Sequence, residues 1–212
     1  MIPAYFMGLK IKFFRKRLLD FFKSKEKNLL IDNVIKLSHI YRSKKINSII
    51  LLNYAPEVDK FLYWCQQLIA ESLGKNGKGI LPLVSTMPKD NHSLMQLYLD
   101  GPKNNFFTFF YVNEKNSSKI KNDKILSTHS YLKNKDFNQI IYAQKLATEN
   151  VFFRKKIPFR SFEINLKDEK TLGELFSFFV LETILLARAL KLNPYNQPSV
   201  ELIKTETKKI LI

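Results

Sequence analysis

The 212-residue sequence holds a single cysteine, Cys65, which rules out an intrachain disulfide framework and a cysteine-based metal cluster. Its three histidines, His39, His92 and His129, lie far apart and lack the spacing of a zinc site, so no metal ligand set is expected. Glycine and proline are scarce, at six and eight, against eighteen Phe and nine Tyr, which excludes a disordered composition. Acidic residues are also few: nineteen Asp and Glu face thirty-five Lys and Arg, a net charge of +16. Such a balance first suggests nucleic acid or an anionic membrane. Yet only six of the cations are Arg, the residue suited to base reading and bidentate phosphate contacts, and the lysines run along the whole chain. The charge therefore reads as a solvated basic surface, with no nucleic-acid or membrane partner, though such a field is also able to attract a small anion. No signal-peptide order is present, because apolar residues precede the basic run 10–17. The longest apolar stretch, 172–190, carries Glu174, Glu182 and Arg188 and reads as a core helix rather than a membrane span. A reducing, cytoplasmic setting is expected.

What is present alternates. Residues 1–45 have helical spacing, with a break at 24–27. Segment 46–54 (INSIILLNY) is the apolar, β-branched run of a strand buried on both faces. A helix follows over 57–73, with Val58, Leu62, Cys65 and Ile69 on one stripe and Gly74 expected to end it in a left-handed conformation. Strands are expected at 79–86, 106–112 and 158–166, and helices at 90–99, 137–153, 171–190 and from Pro198 towards Ile210. A polar loop fills 115–135. Strand–helix alternation predicts an α/β fold: a three-layer αβα sandwich around a mainly parallel sheet, with flanking N- and C-terminal helices. Sites in such sheets usually lie beyond the carboxyl ends of the strands.

Three constellations could carry chemistry. Gln67 and Glu71 are one helical turn apart on one face, with Glu71 in the last turn of its helix. The negative end of the helix dipole tends to raise a carboxyl pKa there, which suits a base working near neutral pH. On periodicity alone, the simpler reading of Glu71 is a surface carboxylate paired with Lys75. Next, His92 follows Asp90 at the start of a short helix, where the dipole favours a neutral imidazole. Asp90 as N-cap, or Ser93 with Gln96 as a capping box, gives the segment a purely local role. Last, a polar turn at 193–197 feeds a helix on which Glu201 and Lys204 are i,i+3 neighbours, either a simple ion pair or a cation near a substrate oxygen. The run Gly74-Lys75-Asn76-Gly77-Lys78-Gly79 follows a helix rather than a strand and lacks the Lys-Ser/Thr pair of a P-loop, so it reads as a turn.

Taken in order, 67–79 (QLIAESLGKNGKG), 90–102 (DNHSLMQLYLDGP) and 193–204 (NPYNQPSVELIK) resemble the phosphoglucose isomerase (glucose-6-phosphate isomerase) family, with the closing Gln-x-x-Val-Glu-x-x-Lys its most specific part. Residues 1–9 (MIPAYFMGL) resemble the segment that follows the family's Gly-Gly-Arg motif. Ser199 stands where many members have glycine. The resemblance implies interconversion of glucose 6-phosphate and fructose 6-phosphate through a cis-enediol, in glycolysis and gluconeogenesis, with no cofactor and no metal. It implies Glu71 as the base moving a proton between C1 and C2, His92 as the ring-opening histidine serving the partner's site in a homodimer, and Lys204 as the lysine at the ring oxygen. Gln67 and Gln197 match substrate-contacting glutamines. The implied organisation is a helical inter-domain segment at 1–45, a C-terminal sugar-isomerase domain at 46–191, and a closing motif and helix at 192–212. The family's phosphate-gripping Ser/Thr loop and its Gly-Gly-Arg arginine have no counterpart in this sequence, so a partial enzyme is expected. The alternative is a non-catalytic sugar-phosphate-binding module of the same domain type.

Overall fold

The computed structural model describes residues 2–21, 26–113, 117–122 and 125–212. Residues 24 and 25 of the expected break, and 115, 116, 123 and 124 of the expected polar loop, lie outside the described residues. Four strands, β1 (Ser48–Asn53), β2 (Leu81–Thr86), β3 (Asn105–Val112) and β4 (Phe159–Ile164), form one sheet in the order β2-β1-β3-β4. Every neighbouring pair is parallel.

Helices α1 (Ile2–Phe6), α2 (Ile11–Phe21) and α3 (Glu26–Ser43) precede β1. Helix α4 (Asp59–Leu73) joins β1 to β2, and α5 (Asp90–Ser93) with α6 (Met95–Asp100) joins β2 to β3. Helix α7 (Phe137–Arg154) leads into β4, and α8 (Glu169–Ala189) and α9 (Pro198–Leu211) follow it. The helix expected as one piece over 90–99 is split at Leu94, which joins α5 to α6 with φ stretched to −119°. The loop expected over 115–135 includes a 3-10 helix at Ser127–Leu132.

Strand alternation builds two cores. On β1, Ile49 and Leu51 face one side and Ile50 and Leu52 the other, and all are nearly solvent-free. The first side packs Phe106 and Phe110 of β3 against Leu62, Cys65 and Ile69 of α4 and Phe179 and Leu186 of α8. Leu30, Val34 and Leu37 of α3 join that same cluster. The second side packs Phe107, Phe109 and Tyr111 against Met95 and Tyr98 of α6 and Phe152 of α7. Each such large side chain contributes roughly 1.5–3 kcal/mol by leaving water. The result is the three-layer αβα sandwich anticipated from the alternation.

Helix α2 crosses α8 at Gly173, where an added methyl would stand 2.0 Å from the Phe14 carbonyl oxygen. No side chain larger than hydrogen permits that approach. Gly74 is a correction: it closes α4 with φ −78°, not left-handed. The left-handed residues of the turn are Asn76, Gly77 and Gly79, because the chain reverses at 75–78, where the Lys78 N–H donates to the Lys75 carbonyl. Gly74 is still needed for space, since its Cβ would meet the Ala70 carbonyl oxygen at 2.7 Å.

The carboxylate inside the apolar helix α8 has a partner that spacing alone does not show. Arg160 of β4 grips Glu182 with both terminal nitrogens, at 2.6 and 2.9 Å, and its Nε donates to Thr108 of β3 at 3.2 Å. The guanidinium lies over Phe162 and Phe179. Arg160 is 12% and Glu182 5% exposed. Burial, helped by the Glu182 charge, pushes the Cys65 thiol well above its usual range, so the lone cysteine is an inert core residue. No helix among the described residues is long and apolar enough to cross a membrane.

Breaking this pair one-sidedly strands a buried charge. Arg160→Met is expected to cost about 3–5 kcal/mol in urea unfolding followed through Trp64 fluorescence. Adding Glu182→Leu is expected to recover most of that loss, and a double variant as unstable as the single one would contradict the assignment.

Candidate active site

Glu71 sits in the last turn of α4. That helix carries the chain from the carboxyl end of β1 back to the amino end of β2, so its last turn lies at the amino edge of the sheet. Glu71 therefore lies at the edge opposite the carboxyl ends, where sites in such sheets usually form. Its partners there are two amides. Gln67 Nε2 donates to Glu71 Oε1 at 2.8 Å, one turn back on the same helix face. Gln197 Nε2 donates to Glu71 Oε2 at 2.7 Å, from the residue just before α9. The pairing with Lys75 does not form; that ammonium donates to the Asn193 carbonyl at 2.5 Å instead. Glu71 is half-buried and both glutamines are exposed, so the constellation opens to solvent. A carboxylate offers about four acceptor positions, and with each oxygen holding one amide, lone pairs remain for an incoming proton.

The other two candidates lie elsewhere. Lys204 donates to Glu201 Oε1 at 2.7 Å, the i,i+3 pair the sequence suggested, with both side chains about two-thirds exposed. It stands seven residues past Gln197, roughly 10 Å along the helix. No residue of α9 is buried. His92 is exposed and, among the described residues, its imidazole has no hydrogen-bond partner. It follows β2, at the carboxyl edge, whereas Glu71 is at the amino edge. A six-residue strand separates the two edges by roughly 20 Å. One copy of the chain thus does not bring His92 to Glu71.

The local chemistry around His92 needs correcting. Asp90 does not cap α5; the residue before that helix is Lys89, in helical geometry. The Asp90 carboxylate instead accepts from Ser85 Oγ at 2.9 Å, the Thr86 N–H at 2.8 Å and Ser93 Oγ at 2.9 Å. Ser93 and Gln96 form no capping box, since Gln96 donates to Asp100. The end of β2 offers Asp90 donors that the free helix start cannot match, so the carboxylate staples α5 to the strand. His92 is the third residue of a four-residue helix, too short for the dipole argument made from sequence.

A further polar cluster escaped the sequence reading. Lys145 of α7, only 2% exposed, contacts Glu149 at 2.9 Å and also Glu163, beside the rings of Tyr111 and Tyr142. Burial pulls its ammonium down, but the two carboxylates outweigh that and hold it above its usual range. It stays a charged structural tie between α7 and β4, not a base. Nearby, burial pushes the Tyr54 phenol up to about 12, leaving it a neutral donor to Thr148.

No protein-family model matches the chain. Among curated proteins, it is 37% identical over 193 residues to the glucose-6-phosphate isomerase of Mycoplasmopsis pulmonis, covering 88% of this chain and 45% of the relative. It is 33% identical over 186 residues to the glucose-6-phosphate isomerase of Methanocaldococcus jannaschii, covering 85% and 43%. The chain thus spans somewhat under half the length of these curated relatives. A crystal structure of a hypothetical protein from Thermus thermophilus superposes with a TM-score of 0.88 at 22% identity, covering 99% of this chain and 52% of that one. A glucose-6-phosphate isomerase from Chlamydia trachomatis superposes with a TM-score of 0.63 at 15% identity, covering 78% and 35%. These two share the fold. The resemblance first drawn from three motifs therefore extends over most of the chain.

Asp90 gives this region a pH signature. Burial pushes its carboxyl up, but the hydrogen bonds from Ser85, Ser93 and Thr86 outweigh it and hold it below the usual range. A depressed folded value means stability that is present above the unfolded pKa of about 3.9 and lost as pH falls through the folded one. Asp90→Ala is expected to cost about 1–3 kcal/mol at pH 7, with the gap to wild type shrinking below about pH 4 in urea titrations. A gap that stays constant down to about pH 2 would contradict this.

Proposed function

We propose that this chain, similar to glucose-6-phosphate isomerases over most of its own length, is the proton-transferring portion of such an enzyme. The reading places the isomerase domain at 46–191 and its closing motif at 192–212. It rests on one observation above all: Glu71 Oε1 and Oε2 are held by Gln67 and by Gln197, a residue 126 positions away. Two neutral amides orient a carboxylate without neutralising it, which is what a base needs before it takes a proton. Glu71 removes the C2 proton of open-chain glucose 6-phosphate, leaving a cis-enediolate that becomes the cis-enediol as O1 takes a proton; O2 gives up its proton as Glu71 returns the first to C1, giving fructose 6-phosphate. Both steps use one face of the sugar, so a single carboxylate serves them. The two amides turn towards substrate hydroxyls on binding, and Lys204 supplies a cation at the ring oxygen as its exposed pair with Glu201 opens.

The opposite-edge positions of Glu71 and His92 support a two-fold assembly, in which His92 of one copy enters the partner's site to open the sugar ring. Exposed Leu81 and Leu83 on edge strand β2, together with exposed Leu97 of α6, offer such an assembly an apolar contact surface. The grip on the substrate phosphate and the cation facing the enediolate come from the portion of the relatives' length that this chain does not span. The setting is cytoplasmic and the role glycolytic and gluconeogenic.

Two measurements test this. The 212-residue chain alone is expected to turn over glucose 6-phosphate weakly or not at all, because remote phosphate binding and enediolate stabilisation are both lost. Joined to the remaining portion of such an isomerase, it is expected to lose about 10³-fold in kcat on Glu71→Gln, with KM little changed. A Glu71→Gln enzyme within about tenfold of wild type would instead favour a non-catalytic sugar-phosphate-binding module.

A further inference from the structure

We infer that Lys75 is a positioning residue for the Glu71 site: its ammonium holds the loop after α8 by the Asn193 carbonyl, and that hold delivers Gln197 to the carboxylate. The functional consequence rests on the isomerase reading; the geometry does not.

Helices α3, α4 and α8 all end at the amino edge of the sheet, and the last carbonyls of a helix lack partners within it. Three cations meet the end of α8 and the turn that follows. Arg42 Nη2 donates to the Ala189 carbonyl at 2.5 Å, Lys78 Nζ to that of Leu190 at 2.8 Å, and Lys75 Nζ to that of Asn193 at 2.5 Å. The two lysines belong to the Gly-rich turn after α4. That turn therefore clamps a second loop, a role neither a phosphate cradle nor a simple reversal describes.

Of the three, the Asn193 contact is the one nearest Gln197, four residues before it. Asn193 is also fixed locally, its Oδ1 accepting from the Tyr195 N–H at 2.9 Å. Pro194 and Pro198 restrict φ on either side of the remaining residues. A four-residue step from Asn193 to Gln197 with so little freedom passes the position of one to the other. Helix α9 offers no alternative anchor, since none of its residues is buried. Gln197 thus reaches Glu71 because the loop is held, not because the helix behind it is packed.

The same contact keeps Lys75 off Glu71. At i+4 the two would ordinarily pair, and a fixed ammonium on the carboxylate would blunt it as a base. By drawing the ammonium to a carbonyl, the loop leaves Glu71 with amide partners only, among the described residues. One lysine both seats the orienting glutamine and withholds a neutralising charge.

The test compares Lys75→Met with Lys75→Arg, whose longer head can still reach the carbonyl. In the 212-residue chain, Lys75→Met is expected to speed hydrogen exchange of the 195–197 amides about tenfold, with Tm unchanged, and Lys75→Arg to restore protection. In the assembled isomerase, Lys75→Met is expected to lower kcat about tenfold with KM nearly constant, with Arg restoring it. Lys75→Met combined with Gln197→Ala is expected to be no worse than Gln197→Ala alone, the mark of two residues acting through one contact. Unchanged exchange at 195–197, or losses that multiply in the double variant, would overturn the inference. If Glu71→Gln proves fully active, the isomerase reading fails, and the exchange experiment still decides the clamp.

Discussion

Parallel strands oblige each connection to return the chain across the sheet, and that return fixes where every helix ends. In this fold α3, α4, α6, α7 and α8 all finish at the amino edge. Helix ends expose carbonyls and the negative pole of the peptide dipoles, so the edge collects negative charge that cations must meet. They do: Arg42, Lys75, Lys78 and Lys103 each donate to a carbonyl there, and Lys155 pairs with Asp100 at the end of α6. At the opposite edge the helix starts carry Asp59, Asp90, Asp136, Asp168 and Glu169. Part of the large basic excess is thus explained by helix polarity, with no nucleic acid required.

The Glu71 constellation follows from the same constraint. Its carboxylate stands among helix carbonyls and must hold its position without a cation of its own, which the amides of Gln67 and Gln197 allow. His92 is displaced to the far edge by the direction of β2, so a single copy of the chain keeps it apart from Glu71.

Much of this was legible in the sequence where a pattern is local. The run Ile49 to Leu52 announced a strand buried on both faces, and alternation from there to β4 gave the layered fold. Gln67 and Glu71 shared a face by helical spacing alone. What stayed hidden depends on contacts between distant segments. Gln197 came from the family resemblance, because no periodicity links residues 126 apart. Glu182 looked like an interruption of an apolar helix until β4 placed Arg160 beside it. Asp90 read as a helix cap because the competing donors at the end of β2 are visible only once the chain folds back. Gly74 read as left-handed because glycine after a helix commonly is, yet the reversal falls two residues later.

The account turns on Glu71 carrying a substrate hydrogen, and solvent deuterium reports that directly. The assembled isomerase, run in heavy water, is predicted to incorporate deuterium at C1 or C2 of the sugar phosphate alongside direct transfer. Glu71→Gln is predicted to abolish both while a sugar-phosphate inhibitor still binds. Exchange and turnover that persist unchanged in Glu71→Gln would contradict the account, since some other group would then be moving the proton.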